Sequence, residues 1–241
     1  MPELPPPLPP AERTVGQLIA ESIRAYGAHF WRLLPLGLPL ALAGLVNTHS
    51  DAGRQMVALW AVGPLVIAAY LLACSIVLGV RINRSAVILA VLVYLPFPVL
   101  LAIYVLPALA WFAFVGLGVP AAMAGDLRLR EALVRGRRLG LADYVHSLGS
   151  LSALVIVVGV AALTLRALLN SQGAAGMQVA VFLTTLVLSP LLYIGGALLY
   201  TDQAARLDSP PPKRKRRRRD ADLHSALDSE SAGSADPQVE P

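Results

Sequence analysis

Between Trp31 and Tyr200 long apolar runs follow one another, and arginines stand in the gaps, mostly in every second gap. A run of about 20 apolar residues is long enough to cross the hydrocarbon core of a bilayer. No water is present there to satisfy backbone N–H and C=O groups, so each run is expected to be a helix. The pattern places spans at residues 31–46, 56–80, 148–165 and 177–200, with short polar turns at 47–51 and 170–173. Between the second and the last two lie an unbroken apolar stretch, 85–123, and a polar segment, 125–147.

The 85–123 stretch carries Pro96, Pro98, Pro107 and Pro120. It is too long for one crossing and barely enough for two, and charge parity decides between them. With two crossings, Arg13, Arg24, Arg32, Arg81, Arg84, the arginines of 125–147, Arg206 and the basic tail share one side. Only Arg54 and Arg166 then lie near the other. With one crossing the 125–147 arginines and the tail move outside, against the rule that arginine and lysine gather on the cytoplasmic side. Two crossings with a tight turn near 104–107 are therefore expected; a re-entrant hairpin satisfies the same parity. The expected fold class is all-α: a polytopic transmembrane helical bundle of six spans in the cell membrane, with N- and C-termini both cytoplasmic.

The flanks read differently. Residues 1–13 are Pro-rich, lack a positive start and an apolar core, and are expected to be disordered. Residues 14–206 form the membrane domain. Its first part, 14–28, is amphipathic: Val15, Leu18, Ile19, Ser22, Ile23 and Tyr26 share a face, with Arg13, Gln17, Glu21 and Arg24 elsewhere. Thr14 followed by Gln17 is a capping box. Such a segment suits the membrane surface, the alternative being the frayed start of the first span. Residues 207–241 are basic and then acidic, with too few apolar residues to fold, and read as a disordered cytoplasmic tail.

Composition agrees with the pattern. Hydrophobic residues make up 56% and charged residues 15%, and the mean hydropathy is +0.63, against roughly 45–50% and about 25% in soluble domains. Cys74 is the single cysteine, so no intramolecular disulfide is available. His29, His49, His146 and His224 are scattered without metal-ligand spacing. No Gly-rich phosphate loop, G-x-S-x-G elbow or paired-carboxylate site appears. Neither an enzyme, a metal nor a cofactor is expected. Asp and Glu are absent between Asp51 and Asp126 and between Asp143 and Asp202, which argues against a proton-driven carrier.

The candidate contact residues are cationic. Arg128, Arg130, Arg135, Arg137 and Arg138 stand on a helix beginning near Asp126, where Asp126 with Arg130 and Glu131 with Arg135 have i,i+4 spacing. Asp202 and Arg206 are spaced alike past the last span. Lys213, Arg214, Lys215, Arg216, Arg217, Arg218 and Arg219 form the run in the tail. Basic residues beside a bilayer attract anionic headgroups at about 1 kcal/mol each; alternatively they only set topology. No aromatic stacking or base-reading fold accompanies them, so no specific nucleic-acid partner is expected.

Three segments carry a resemblance. Arg130-Glu131-Ala132-Leu133-Val134-Arg135-Gly136-Arg137-Arg138-Leu139, Tyr193-Ile194-Gly195-Gly196-Ala197-Leu198-Leu199-Tyr200-Thr201-Asp202 and Phe30-Trp31-Arg32-Leu33-Leu34 resemble a bacterial family of six-helix membrane proteins. That family includes the membrane domain of some glycerophosphodiester phosphodiesterases. Ala132, Leu133, Arg135 and Leu139 match its E-A-L-R-R-S-W-x-L-like helix, while Gly136 and Arg137 depart from Ser-Trp. Tyr200, Asp202 and, one residue late, Arg206 approximate its L-x-Y-x-D-x-R-like ending. The resemblance implies a six-helix domain with no assigned reaction; the phosphodiesterase's catalytic barrel has no counterpart here. The function expected is a non-catalytic scaffold or accessory subunit that contacts membrane lipids, anionic headgroups or a protein partner. The alternative is a transporter or lipid-handling protein with a polar path through proline-interrupted spans, lined by Ser75, Thr164, Thr184, Thr185 and Ser189.

Overall fold

The computed structural model describes residues 9–10, 13–46, 52–169 and 173–208; 90% of these are helical and none is in a strand. The expected turns at 47–51 and 170–172 and the basic run at 213–219 lie outside the described residues. Helix α1 is Val15–Ala28. Its capping box forms as expected: the Thr14 hydroxyl accepts from the Gln17 N–H (3.4 Å), and Gln17 Oε1 accepts from the Thr14 N–H (2.9 Å). Leu18, Ser22 and Tyr26 fill its buried stripe. Thr14→Ala removes a partner for an N-terminal amide and is expected to weaken α1 by about 1 kcal/mol. Amide hydrogen exchange across α1 should quicken accordingly.

At His29 the chain bends by 93°, so α1 is a separate element and not the frayed start of the next helix. Beyond the bend come α2 (Phe30–Leu33), a 3₁₀ turn (Leu34–Gly37) and α3 (Leu38–Val46). Pro35 and Pro39 lack the N–H a continuous helix needs, and the ladder tightens around them. This segment reaches spanning length only when joined to α1, so the first expected span is the weakest. Five other stretches are long and apolar enough to cross a membrane: Met56–Leu78, Arg84–Ile103, Val105–Ala124, Tyr144–Leu169 and Gly176–Asp208. These are the proportions of a multi-pass helical membrane protein, with five or six crossings.

Helix α4 is Ala52–Leu78 and ends at Gly79, whose φ of +66° is the left-handed stop that glycine adopts freely. The 85–123 stretch becomes two helical stretches that part at Tyr104, where the backbone is extended (φ −166°, ψ 155°). The first consists of α5 (Arg84–Tyr94) and α6 (Phe97–Ile103), interrupted at Pro96. The second consists of α7 (Val105–Trp111), a π turn (Phe112–Gly116) and α8 (Gly118–Ala124). Each is 20 residues long, or about 30 Å of helix, and the break falls within the expected 104–107. Trp111 Nε1 donates to the Val93 carbonyl (2.9 Å), joining the two.

The remaining helices are α9 (Leu129–Ala142), α10 (Tyr144–Leu169) and α11 (Gly173–Asp208). Small residues let them approach closely, as in membrane helix packing generally. A Cβ on Gly136 would come within 2.5 Å of Gly118 Cα, and one on Gly140 within 2.7 Å of the Ala113 carbonyl oxygen. Helix α9 therefore folds back along α8 and the π turn. Gly37 abuts the Leu186 backbone in the same way, which seats the 3₁₀ turn against α11. Elsewhere large apolar side chains face outward, including Ile156, Val160, Leu163 and Leu168 on α10. In water such a surface is an association hazard; in a bilayer it is ordinary.

Candidate functional site

The first candidate surface is α9. Ala132, Gly136, Leu139 and Gly140 are its buried stripe, so Arg128, Arg130, Arg135, Arg137 and Arg138 are all left outside it. The expected i,i+4 pairs do not form. The Glu131 carboxylate turns back to accept the Arg128 N–H (3.3 Å), capping the helix start. Asp126, at φ +45°, accepts from Asn83 Nδ2 (3.0 Å). Among the described residues none of the five arginines is in an ion pair. Arg137 lies over the Phe114 ring, 5.8 Å from its centroid. Asn83 also donates to the Ala122 carbonyl (2.8 Å). The start of α5, with Arg81 and Arg84 near it, thus adjoins the α8–α9 corner.

The second feature is partly buried, and its pairing differs from the one spacing predicts. Asp202 and Arg206 do not pair with each other. Asp202, fully buried, takes Arg13 (Nη1–Oδ1, 3.0 Å), while Arg206 takes Asp143 (Nη1–Oδ2, 2.9 Å). Arg206 Nη2 also donates to the Arg13 carbonyl (2.8 Å) and lies 3.0 Å from His146 Nε2, which can accept when its ring is neutral. The cluster joins the residues before α1, the α9–α10 corner and the end of α11. Arg13, Asp143 and His146 escape a reading of local spacing because each partner is distant in sequence. Gln203, Ser147 and Ser150 are also fully buried near these positions in the chain. The arrangement neutralises each carboxylate with a guanidinium and acts as a clamp.

The third feature is a partly open cavity of about 340 Å³ lined by α3, α4, α5, α6, α7, the π turn, α8, α10 and α11. Leu40, Val66, Val93, Leu101, Leu109 and Leu154 are typical of its wall, and Tyr70, Tyr94, Phe112 and Tyr193 are its aromatic members. Tyr70 and Tyr193 are buried, their rings 6.4 Å apart. Their hydroxyls have no oxygen or nitrogen partner among the described residues; that of Tyr70 lies beside the Cys74 thiol. The Tyr94 hydroxyl donates to the Leu59 carbonyl (2.7 Å). A second groove of about 650 Å³ runs between α4 and α5.

None of the five hydroxyl residues expected on a polar path lines either space. Ser75 donates to the Val80 carbonyl (2.7 Å) at the end of its own helix. Thr164 is exposed and bonds within α10, Thr185 lies near Gly44, and Thr184 and Ser189 are buried elsewhere. Comparison with known family models, with curated proteins and with solved structures gives no match.

Proposed function

We propose that this chain is a non-catalytic integral membrane protein, with both termini cytoplasmic, that serves as a scaffold or accessory subunit. Its α9 arginines engage anionic lipid headgroups or an acidic partner at the cytoplasmic surface. One contrast supports this reading. Arg13 and Arg206 are held in the partly buried clamp, whereas the five arginines of α9 lie off its buried stripe and are free of ion pairs among the described residues. A rigid helix fixed by glycine contacts presents them, and cations beside a bilayer attract its anionic lipids at about 1 kcal/mol apiece. The six-helix resemblance fits this reading, since it too implies a membrane domain without a reaction of its own.

The test uses the full chain in phosphatidylcholine nanodiscs with and without phosphatidylglycerol. Phosphatidylglycerol is expected to slow amide exchange across α9, and the slowing should fade with added salt because exposed charges are screened. Changing all five α9 arginines to glutamine should abolish it. Exchange that ignores lipid charge in the native chain would rule out headgroup contact at this surface.

Lipid handling is the second reading, and the central cavity favours it. That cavity is apolar, so it suits a hydrocarbon chain better than an ion.

A further inference from the structure

We propose that the central cavity is a binding site for one acyl chain of a membrane phospholipid, which enters sideways between α4 and α5 past Tyr94. This goes beyond headgroup contact and rests only on the chain lying in a bilayer.

The cavity and the groove between α4 and α5 adjoin. Ile67 and Tyr94 line both. The groove is walled by Leu72, Val87, Val91 and Leu95, all outward-facing apolar residues. In a bilayer these walls meet lipid chains, so the route from membrane to interior is apolar throughout. Tyr94 stands at the junction. Its ring lies against Gly63, where an added Cβ would come within 2.7 Å, and its hydroxyl is tethered to the Leu59 carbonyl across to α4. Swinging this one side chain aside breaks a single hydrogen bond and joins the two spaces.

Size and shape choose the occupant. A methylene is about as large as a water in the liquid, roughly 30 Å³, so 340 Å³ admits on the order of ten methylenes. Along α4 the cavity extends from Leu59 to Tyr70, a rise of about 16 Å, which is also the length of a chain segment of that order. A helix, about 10 Å across, is too wide, and an apolar cavity of this kind does not hold water well. At the Tyr70 end, the Tyr70 hydroxyl meets only the Cys74 thiol, a weak acceptor, and the Tyr193 hydroxyl is a buried donor without an oxygen or nitrogen partner among the described residues. Such donors are costly to leave unpaired, and the ester carbonyl of an acyl chain is an acceptor that fits them.

The experiment places the full-length protein in nanodiscs of phosphatidylcholine bearing a diazirine on one acyl chain, with adducts mapped by peptide mass spectrometry after photolysis. Adducts are expected on the cavity wall, at Tyr70, Leu109 or Tyr193, besides those on outward Val91 and Leu95. Ala108→Phe, which puts a ring into the cavity wall, should lower the interior adducts about fivefold or more and leave the outward ones unchanged. Tyr94→Phe, without the tether, should speed interior labelling; an unchanged rate would overturn the Tyr94 route. Adducts confined to outward residues of the native chain would overturn the site, whether or not Ala108→Phe folds. Interior labelling by a diazirine free fatty acid but not by the phospholipid would overturn the phospholipid as source. Phosphatidylcholine carries no net charge, so failure here is distinct from failure of the arginine–headgroup reading.

Discussion

Gly136→Ala is expected to undock α9 from α8 and to cost about 3 kcal/mol, the upper end of the overpacking range. The reason lies in what the new methyl would meet. Its nearest neighbours are Gly118 Cα at 2.5 Å and Gly118 N at 2.7 Å, both backbone atoms, so no side chain can rotate away. Relief requires one helix to move, and α9 is held on the same face by Gly140 against the Ala113 and Phe114 carbonyls. The loss should appear as a lower melting temperature in detergent, together with faster tryptic cleavage after Arg135, Arg137 and Arg138. Gly149→Ala is the control, because nothing lies within 4 Å of the added Cβ; it should be neutral or slightly stabilising. Equal effects at the two glycines would refute the close contact.

Arg13→Ala should be the more damaging way to break the Arg13–Asp202 pair of the clamp. Asp202 has no exposed side-chain surface, while Arg13 retains 15%. Removing the arginine strands a carboxylate away from water and leaves the Arg206–Asp143 pair as its nearest compensation. Breaking a buried pair in this way costs about 3–5 kcal/mol. Asp202→Asn leaves instead a guanidinium that still reaches solvent, so its cost should be smaller. The double variant Arg13→Ala/Asp202→Asn carries no stranded charge and should recover much of the loss relative to Arg13→Ala. Melting temperatures of the three variants close the cycle, and strict additivity would show that the pair does not couple.

Local signals in the sequence are reliable where the physics is local. Thr14 and Gln17 cap α1 as their spacing implies, and a break near Tyr104 is legible because the 85–123 stretch is too long for one crossing helix. Charge spacing misleads at Asp126, Glu131, Asp202 and Arg206. An i,i+4 pair is weak, and each of these groups finds a backbone amide or a distant partner instead. Gly136 reads in the sequence only as a departure from a pattern, although Gly118, Gly136 and Gly140 are the small residues that close helix packing in membranes requires. The cavity is invisible there, since it is defined by volume that side chains leave unfilled. One trace of it is legible: Tyr70, Tyr94 and Tyr193 lie well inside apolar runs, away from the interfaces that tyrosine favours.

The clamp also sets an order of events in the cell. Arg13 is made 189 residues before Asp202. At about 5–20 residues per second, roughly ten to forty seconds separate their synthesis. For that interval Arg13 has no buried carboxylate to meet, and α1 has α10 to pack on before the last helix completes the clamp. A chain stalled before the end of α11 therefore lacks this clamp, which makes the Arg13–Asp202 pair one of the last contacts the bundle can form.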